Sequence, residues 1–222
     1  MADDWQEVVS DEAEKLLKQY AVKADYPALL KKEKHLEALE LSFYQNYRLY
    51  RATIWEREHF VMPRELHFFV GNGDMVFPDG TPGPIYDLNR RAPLILTTDN
   101  VGDYVRWFHQ FYFVPDCQFI ETADALSWAT APAGQRKEFE KLVHSPRFIE
   151  QDPDGGYIVQ ITLFKSEDLP VPETLSFPLP ELVKRSLRQC LIIVDPQGNM
   201  YWVPESETVL MDNVKAVEDN YL

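Results

Sequence analysis

The residues best suited to catalysis lie in a segment rich in aromatic rings, residues 103–119. One imidazole, His109, stands there between two acids, Asp103 and Asp116. Imidazole accepts and donates protons near neutral pH, and a nearby carboxylate can orient it or share its proton. The segment therefore permits one enzymatic hypothesis, a small-molecule hydrolase or isomerase that uses a His–carboxylate pair in an aromatic pocket.

The same segment also permits a binding pocket without catalysis. Trp107, Phe111 and Cys117 are candidate lining residues, since ligand sites are mostly apolar with a few polar groups. Cys117 beside His109 or His144 would form a thiolate–imidazole pair, but the surrounding sequence has no signature of such a nucleophile. Aromatic residues at this density are more typical of a core helix, so we expect a buried helix with His109 satisfied by ordinary hydrogen bonds.

Arg90 and Arg91 form a second candidate ligand-binding feature. They follow residues 72–89, which we interpret as a long surface loop because Gly, Pro and Asp are dense in 78–84. Two adjacent guanidinium groups can bind a carboxylate or a phosphate. Because Asp87 is close by, a solvated ion pair is the simpler interpretation.

Motifs for metal, nucleotide and cofactor binding are missing from the sequence. Glu56 and His59 have the spacing of half a dimetal site, yet no second Glu-x-x-His exists. Gly71-Asn72-Gly73 lacks the third glycine of a dinucleotide-binding loop, since Val76 stands in that place. We therefore predict neither a metal nor a cofactor.

The charge balance disfavours two classes of partner. The chain has 36 acids and 22 bases, a net charge of −14 over 222 residues. Such a field repels phosphate backbones and anionic lipid, so we predict no nucleic-acid and no membrane partner. Two cysteines, Cys117 and Cys190, do not make a disulfide framework. Apolar runs are short and the first residues are acidic, so we expect a cytoplasmic protein.

The first third of the chain predicts helices. A short helix is expected over 10–22, and a long one over 27–59, where leucine and tyrosine recur at helical spacing and no glycine intervenes. An unbroken helix of that length would protrude from a compact chain. A protruding apolar helix favours self-association, so the sequence predicts a possible homodimer through 27–59.

The remainder predicts a mixture of strands and helices. Asn100 is expected to cap a helix over 101–113, and a further helix is expected over 132–144. Turn residues at 152–156 and 195–199 predict two hairpins. The other expected elements are strands at 66–70, at 117–121 paired with 126–130, and at 174–177, and a helix over 205–217.

Together these patterns predict an α+β fold in which an antiparallel sheet is covered by helices. A helical N-terminal region, 1–62, is expected to pack on an α+β domain, 63–222, so that the two form one continuous structural unit. We expect a non-catalytic binding or assembly module that recognises a protein or a small apolar ligand. The His109 enzyme is the alternative, because scattered active sites leave no motif.

Overall fold

The computed structural model describes residues 5–31, 33–55, 63–112, 117–129, 131–169 and 183–218. The chain divides into two compact units, residues 1–95 and residues 96–222. Each unit contains an antiparallel sheet, and the described residues form four α-helices in all. The predicted α+β class is therefore confirmed.

The first unit is a five-stranded antiparallel sheet with a helix on one face. Its strands lie in chain order and are β1 (Gln6–Glu7), β2 (Glu33–Glu40), β3 (Tyr47–Trp55), β4 (Arg64–Gly71) and β5 (Asp74–Val76). Helix α1 (Ser10–Lys23), which matches the prediction over 10–22, packs on the sheet through Leu16, Leu17 and Tyr20. Tyr20 contacts the ring of Phe68, with centroids 5.0 Å apart.

The long helix predicted over 27–59 is wrong. A short 3₁₀ helix, Pro27–Lys31, is followed by β2 and β3, which pair with each other over eight residues; 56–59 lie outside the described residues. The chain reverses at 41–46, where Asn46 has a φ of 62°. Tyr47 and Leu49 are buried on one face of β3, and Tyr50, Ala52 and Ile54 on the other. Because both faces are buried, the apolar residues do not alternate cleanly and imitate a helical stripe.

This correction removes two further expectations. The N-terminal region is largely strand and not helical, and the homodimer through a 27–59 helix loses its basis. Strands β3 and β4 pair over Tyr47–Ile54, so residues on both sides of the expected division at 62–63 belong to one sheet.

Residues 72–89 do not form one long loop. Asn72 and Gly73 have φ values of 50° and 77° and close a tight hairpin between β4 and β5. Helix α2 (Gly83–Arg91) follows, with Pro84 in its first turn and with Ile85 and Leu88 buried. Proline is tolerated there because the first helical N–H groups need no intrahelical acceptor. The glycine and proline of 78–84 therefore start a helix as well as forming turns.

The second unit is built on two long strands. Strands β9 (Tyr157–Asp168) and β10 (Val183–Val194) are antiparallel and paired over all 12 residues of each. Each has two short strands lying end to end on its outer edge. On β9 these are β6 (Cys117–Phe119) and β8 (Arg147–Gln151); on β10 they are β11 (Met200–Trp202) and β12 (Thr208–Met211).

Hydroxyl side chains fill the interruptions where the short strands meet. The buried Thr162 hydroxyl donates to the carbonyl of Ile120 at 2.6 Å and lies 3.1 Å from the carbonyl of His144. At the opposite edge, the Ser206 Oγ accepts from the Leu191 N–H at 3.0 Å and donates to the Val203 carbonyl at 2.8 Å. Backbone groups left by the interrupted ladders are thereby satisfied.

Both predicted hairpins are confirmed, β8–β9 and β10–β11. Each turn has the sequence Asp-Pro-x-Gly, with the glycine, Gly155 or Gly198, at positive φ. The backbone of the neighbouring Gly156 lies so close to the other hairpin that a Cβ there would come 2.8 Å from the carbonyl oxygen of Val194. The two turns therefore touch through backbone atoms.

The remaining elements agree with two predictions and correct two others. Helices α3 (Val101–Phe111) and α4 (Gln135–Leu142) lie where helices were expected. The helix predicted over 205–217 is wrong: that region holds β12 and β13 (Val217–Glu218). β13 pairs with β7 (Leu126–Ser127), so β7 does not pair with β6 as predicted. The strand expected at 174–177 lies outside the described residues.

Candidate functional site

Helix α3 is a core helix, as predicted. Val101, Tyr104, Val105, Trp107 and Phe108 are buried. The Tyr104 hydroxyl donates to the carbonyl of Gly198 at 2.7 Å and so ties the helix to the β10–β11 turn. Asn100 does not cap the helix with its side chain; its Oδ1 accepts from the Thr97 N–H at 2.8 Å instead.

His109 is packed as an aromatic ring. It lies nearly parallel to Phe119, with centroids 5.0 Å apart and an interplanar angle of 12°. Its Nε2 is buried and meets no hydrogen-bond partner among the described residues, so the expected hydrogen bonding is wrong at this atom. Burial lowers the pKa of His109 to about 4, because the charged form would lose its hydration.

Neither carboxylate proposed as the partner of His109 is found beside it in the described structure. Asp103 Oδ1 lies 3.3 Å from Arg106 Nη1, and Arg106 Nε donates to Glu121 at 2.7 Å. Residues six apart on a helix point about 120° away from each other, so Asp103 and His109 lie on different sides of α3. Asp116 lies outside the described residues.

The other members of the aromatic segment do not assemble a nucleophile in the described part of the chain. Trp107 is buried and packs edge-on against the half-buried Phe111, with centroids 5.6 Å apart. Cys117 is half-buried in β6 opposite Lys165. The Nδ1 of His144, its second proposed partner, lies 2.8 Å from the carbonyl oxygen of Ser145.

The two cysteines are held apart by a strand. Burial raises the pKa of Cys190 to about 12, and nearby Cys117 and Glu207 contribute to the increase. Strand β9 lies between β6 and β10, and Cys117 and Cys190 lie opposite residues of β9 that are four positions apart, Lys165 and Ile161. The two Cα atoms are therefore farther apart than two strand spacings, about 9.6 Å. That separation exceeds the span of a disulfide.

Arg90 and Arg91 are engaged in ion pairs. Arg90 pairs with Asp87, as expected for a solvated surface pair. Arg91 pairs with Asp74 of β5 and also donates from Nε to the Asp87 carbonyl at 3.2 Å. The two side chains therefore have different partners and do not form one anion clamp.

A groove in the first unit is a candidate site that the sequence did not indicate. It has a volume of about 470 Å³ and lies between the last turns of α1 and the β4–β5 hairpin. Tyr20 packs against Phe68 and Phe77, and this contact sets α1 beside the hairpin. The groove is lined by Lys18, Gln19, Val22, Lys23, Val70, Gly73, Asp74 and Met75.

Charged groups stand along the groove. Lys23 Nζ lies 3.2 Å from Asp74 Oδ1, and Lys18 Nζ lies 2.6 Å from Glu14 Oε1. Burial alone would raise the pKa of Asp74, but the Met75 N–H, Lys23 and Arg91 outweigh burial and hold that pKa below its usual value. Asp74 is therefore an anion with three separate donors.

A second exposed feature lies on the outer edge of β10 in the second unit. Three large side chains of β11 and β12 are exposed, and we call them the aromatic edge: Tyr201 (53%), Trp202 (48%) and Val209 (50%). Residues 189–214 around them contain four acids and no base. Glu207 pairs with Arg188 and Lys165, and Asp212 pairs with Lys184. The negative charge closest to β11 is therefore that of Asp195 and Glu205. Tyrosine and tryptophan are enriched at protein interfaces relative to the rest of the protein surface.

Comparisons with known proteins do not assign either feature. No family model, no curated protein and no solved structure matches this chain. In the described ranges, no cluster of three or more His, Cys, Asp or Glu side chains is arranged to hold a metal ion. None of the helices in those ranges combines the length and the apolar character needed to cross a bilayer.

Proposed function

We propose that this protein is a non-catalytic binding module that recognises a partner protein through the aromatic edge. The observation that carries the proposal is the exposure of both Tyr201 and Trp202, consecutive residues of β11 whose side chains project from opposite faces of that strand. Tyrosine and tryptophan contribute more than their share of binding energy at protein interfaces because they bury large areas at small entropic cost.

The backbone of β11 has groups that could form hydrogen bonds with an added strand. Val203 N–H donates to the Leu191 carbonyl at 3.0 Å, so Val203 and, by alternation, Tyr201 direct their backbone groups toward β10. Trp202 then directs its N–H and C=O outward. Among the described strands, none pairs with that side of β11. An extended segment could add there as a further strand.

Charge favours a basic segment as the partner. Glu205 is exposed beside β11, and Asp195 lies at the turn that precedes it. An added strand with Lys or Arg near its ends and apolar residues between them would complement this pattern. A second copy of the same edge would place these acids against each other, so we propose a different chain as the partner.

The environment of His109 supports a packing role over the enzymatic alternative. A general base must reach its substrate's proton and needs a pKa near the working pH. His109 is stacked on Phe119, and its pKa is lowered to about 4. Its hydrophobic surroundings support the hypothesis that α3 serves as a scaffold.

A peptide-display selection against the full chain tests the proposal. We expect enriched peptides to combine apolar and basic residues, and their affinity to fall as salt is raised. Trp202→Ala should weaken a selected peptide by about tenfold or more, the loss typical of an interface hot spot. Trp55→Ala is the matched control, because Trp55 is a similarly exposed tryptophan (40%) on a strand of the first unit.

Three outcomes would overturn the proposal. In the first outcome, the selection returns peptides without a basic bias. In the second, the Trp202→Ala and Trp55→Ala variants bind the selected peptides equally well. In the third outcome, light scattering detects a dimer that Trp202→Ala dissociates, and the occupant of the edge is then a second copy.

A further inference from the structure

We infer that the groove between α1 and the β4–β5 hairpin binds a small amphipathic anion, a molecule with an apolar chain or ring and one carboxylate, sulfonate or similar group. The inference concerns the residues that line this groove in the first unit and the charged groups next to them, and it does not depend on the aromatic edge. The volume of the groove, about 470 Å³, lies within the range of small-molecule sites.

The apolar part of the ligand is specified by the groove's own apolar side chains. Val22 is 81% exposed, although it follows the buried Ala21 on a helix that packs on the sheet. Met75 and Val70 belong to the adjoining core and its border. A ligand chain lying against these three residues would remove apolar surface from water without disturbing the core.

The anionic part is specified by the bases around the groove. Lys18 and Lys23 line it, and Arg91 reaches Asp74 from α2. These three bases face two acids, Glu14 and Asp74, in a chain whose net charge is −14. A cationic ligand would meet both lysines, whereas an anion would meet ammonium groups on flexible stems that can turn toward it.

If Lys23 turns away from Asp74, the Asp74 carboxylate keeps two other contacts. Asp74 also accepts from the Met75 N–H at 2.8 Å and pairs with Arg91. The Lys23–Asp74 and Lys18–Glu14 pairs are exposed to solvent, and exposed ion pairs contribute little stability. Each lysine can therefore exchange its carboxylate partner for the anionic group of a ligand with little loss of free energy.

Anilinonaphthalene sulfonate is a suitable probe, because it joins an apolar ring system to one anionic group. Fluorescence titration of the full chain should show saturable binding at one site. Decanoate should displace the probe and decylamine should not. Lys18→Glu and Lys23→Glu should each weaken binding by about tenfold, equivalent to 1.4 kcal/mol.

Lys15→Glu is the matched control, because Lys15 is exposed on the same helix and does not line the groove. It should leave the affinity unchanged. Phenylnaphthylamine, a neutral molecule with similar rings, reports on the apolar part alone, and the charge reversals should not alter its binding. Circular dichroism and the melting temperature must match the wild type, since partly unfolded chains also bind such dyes.

Amide chemical shifts give a readout of position. Addition of the probe should move the signals of Gln19 and Gly73 and leave those of the second unit in place. The inference is overturned if all three charge reversals act alike, if decylamine competes as well as decanoate, or if the shifted signals lie away from the groove. Absence of saturable binding overturns it as well.

Discussion

The imidazole of His109 lies almost flat against the phenyl ring of Phe119, with centroids 5.0 Å apart and planes 12° from parallel. This stacking joins helix α3 to strand β6 of the second unit. An uncharged imidazole fits such a place because its faces resemble those of a benzene ring. Protonation would put a charge against an apolar ring and away from water.

His109 should make the protein less stable in mild acid. Its pKa in the folded protein, about 4, lies below the value of 6.5 for an exposed histidine. As pH falls through about 6.5, His109 becomes protonated in the unfolded chain. In the folded protein it remains neutral until about pH 4. Between these values the free energy of unfolding should fall by about 3 kcal/mol from this residue alone.

Urea unfolding at several pH values measures this effect. His109→Phe keeps a ring against Phe119 and removes the titrating group, so its loss of stability on acidification should be smaller by that amount. Phe111→Leu is the control, since it changes packing against Trp107 on the same helix and removes no titrating group; it should keep the wild-type pH dependence. If the free energy of unfolding depends on pH equally in the wild type and in His109→Phe, His109 is not the source of the acid sensitivity.

Replacement of Thr162 by valine should destabilise the second unit. Valine has nearly the same shape, but the carbonyls of Ile120 and His144 lose the hydroxyl that lies 2.6 Å and 3.1 Å away. Buried groups left without a partner cost about 1–3 kcal/mol. Thermal or urea unfolding measures the loss. Thr208→Val, at an exposed position of β12, should change stability by less than about 0.5 kcal/mol, and similar effects at both sites would refute the role given to Thr162.

Alkylation should distinguish the two cysteines. Cys190 is buried and its pKa is raised to about 12, so at mildly alkaline pH it holds almost no thiolate. Iodoacetamide should therefore label the half-buried Cys117 in the native protein and Cys190 only after denaturation. Mass spectrometry of the two peptides after timed labelling is the measurement. Native labelling of Cys190 at the rate of Cys117 would show that its strand opens readily.

Turn chemistry made several elements predictable from the sequence. Proline after Asp152 and Asp195 fixes one dihedral angle, and the glycine two residues later takes positive φ, so each turn is determined by residues next to one another. Helix α1 was predictable for a similar reason, since its buried leucines and tyrosine recur at helical spacing. In each case the determining interactions are local.

The errors arose where distant strands decide the structure. Strand β3 is buried on both faces: α1 covers Tyr50, Ala52 and Ile54 on one face, and Tyr47 and Leu49 are buried on the other. Its apolar residues therefore lose the period of two that marks a strand with one exposed face. Strands β12 and β13 depend on pairing with β10 and β7, and nothing in the local sequence 205–217 signals those partners.

The candidate sites were predictable only in part. The aromatic segment was correctly interpreted as a core helix, and Asp87 was correctly linked to Arg90. The groove was not predictable, because Lys23 and Asp74 are 51 positions apart and meet only through the packing of α1 on the hairpin. The aromatic edge was missed because β11 was expected to be an ordinary hairpin arm.

The close approach at Gly156 sets a limit on how this sequence can vary. Any side chain there would press on the carbonyl of Val194 at 2.8 Å and push one hairpin end away from the other. Asp154 and Gln197, in the same two turns, face solvent and are free to differ among descendants of this chain. Tolerance and intolerance to substitution thus alternate within a few residues, and a mutational scan of these turns would record that contrast directly.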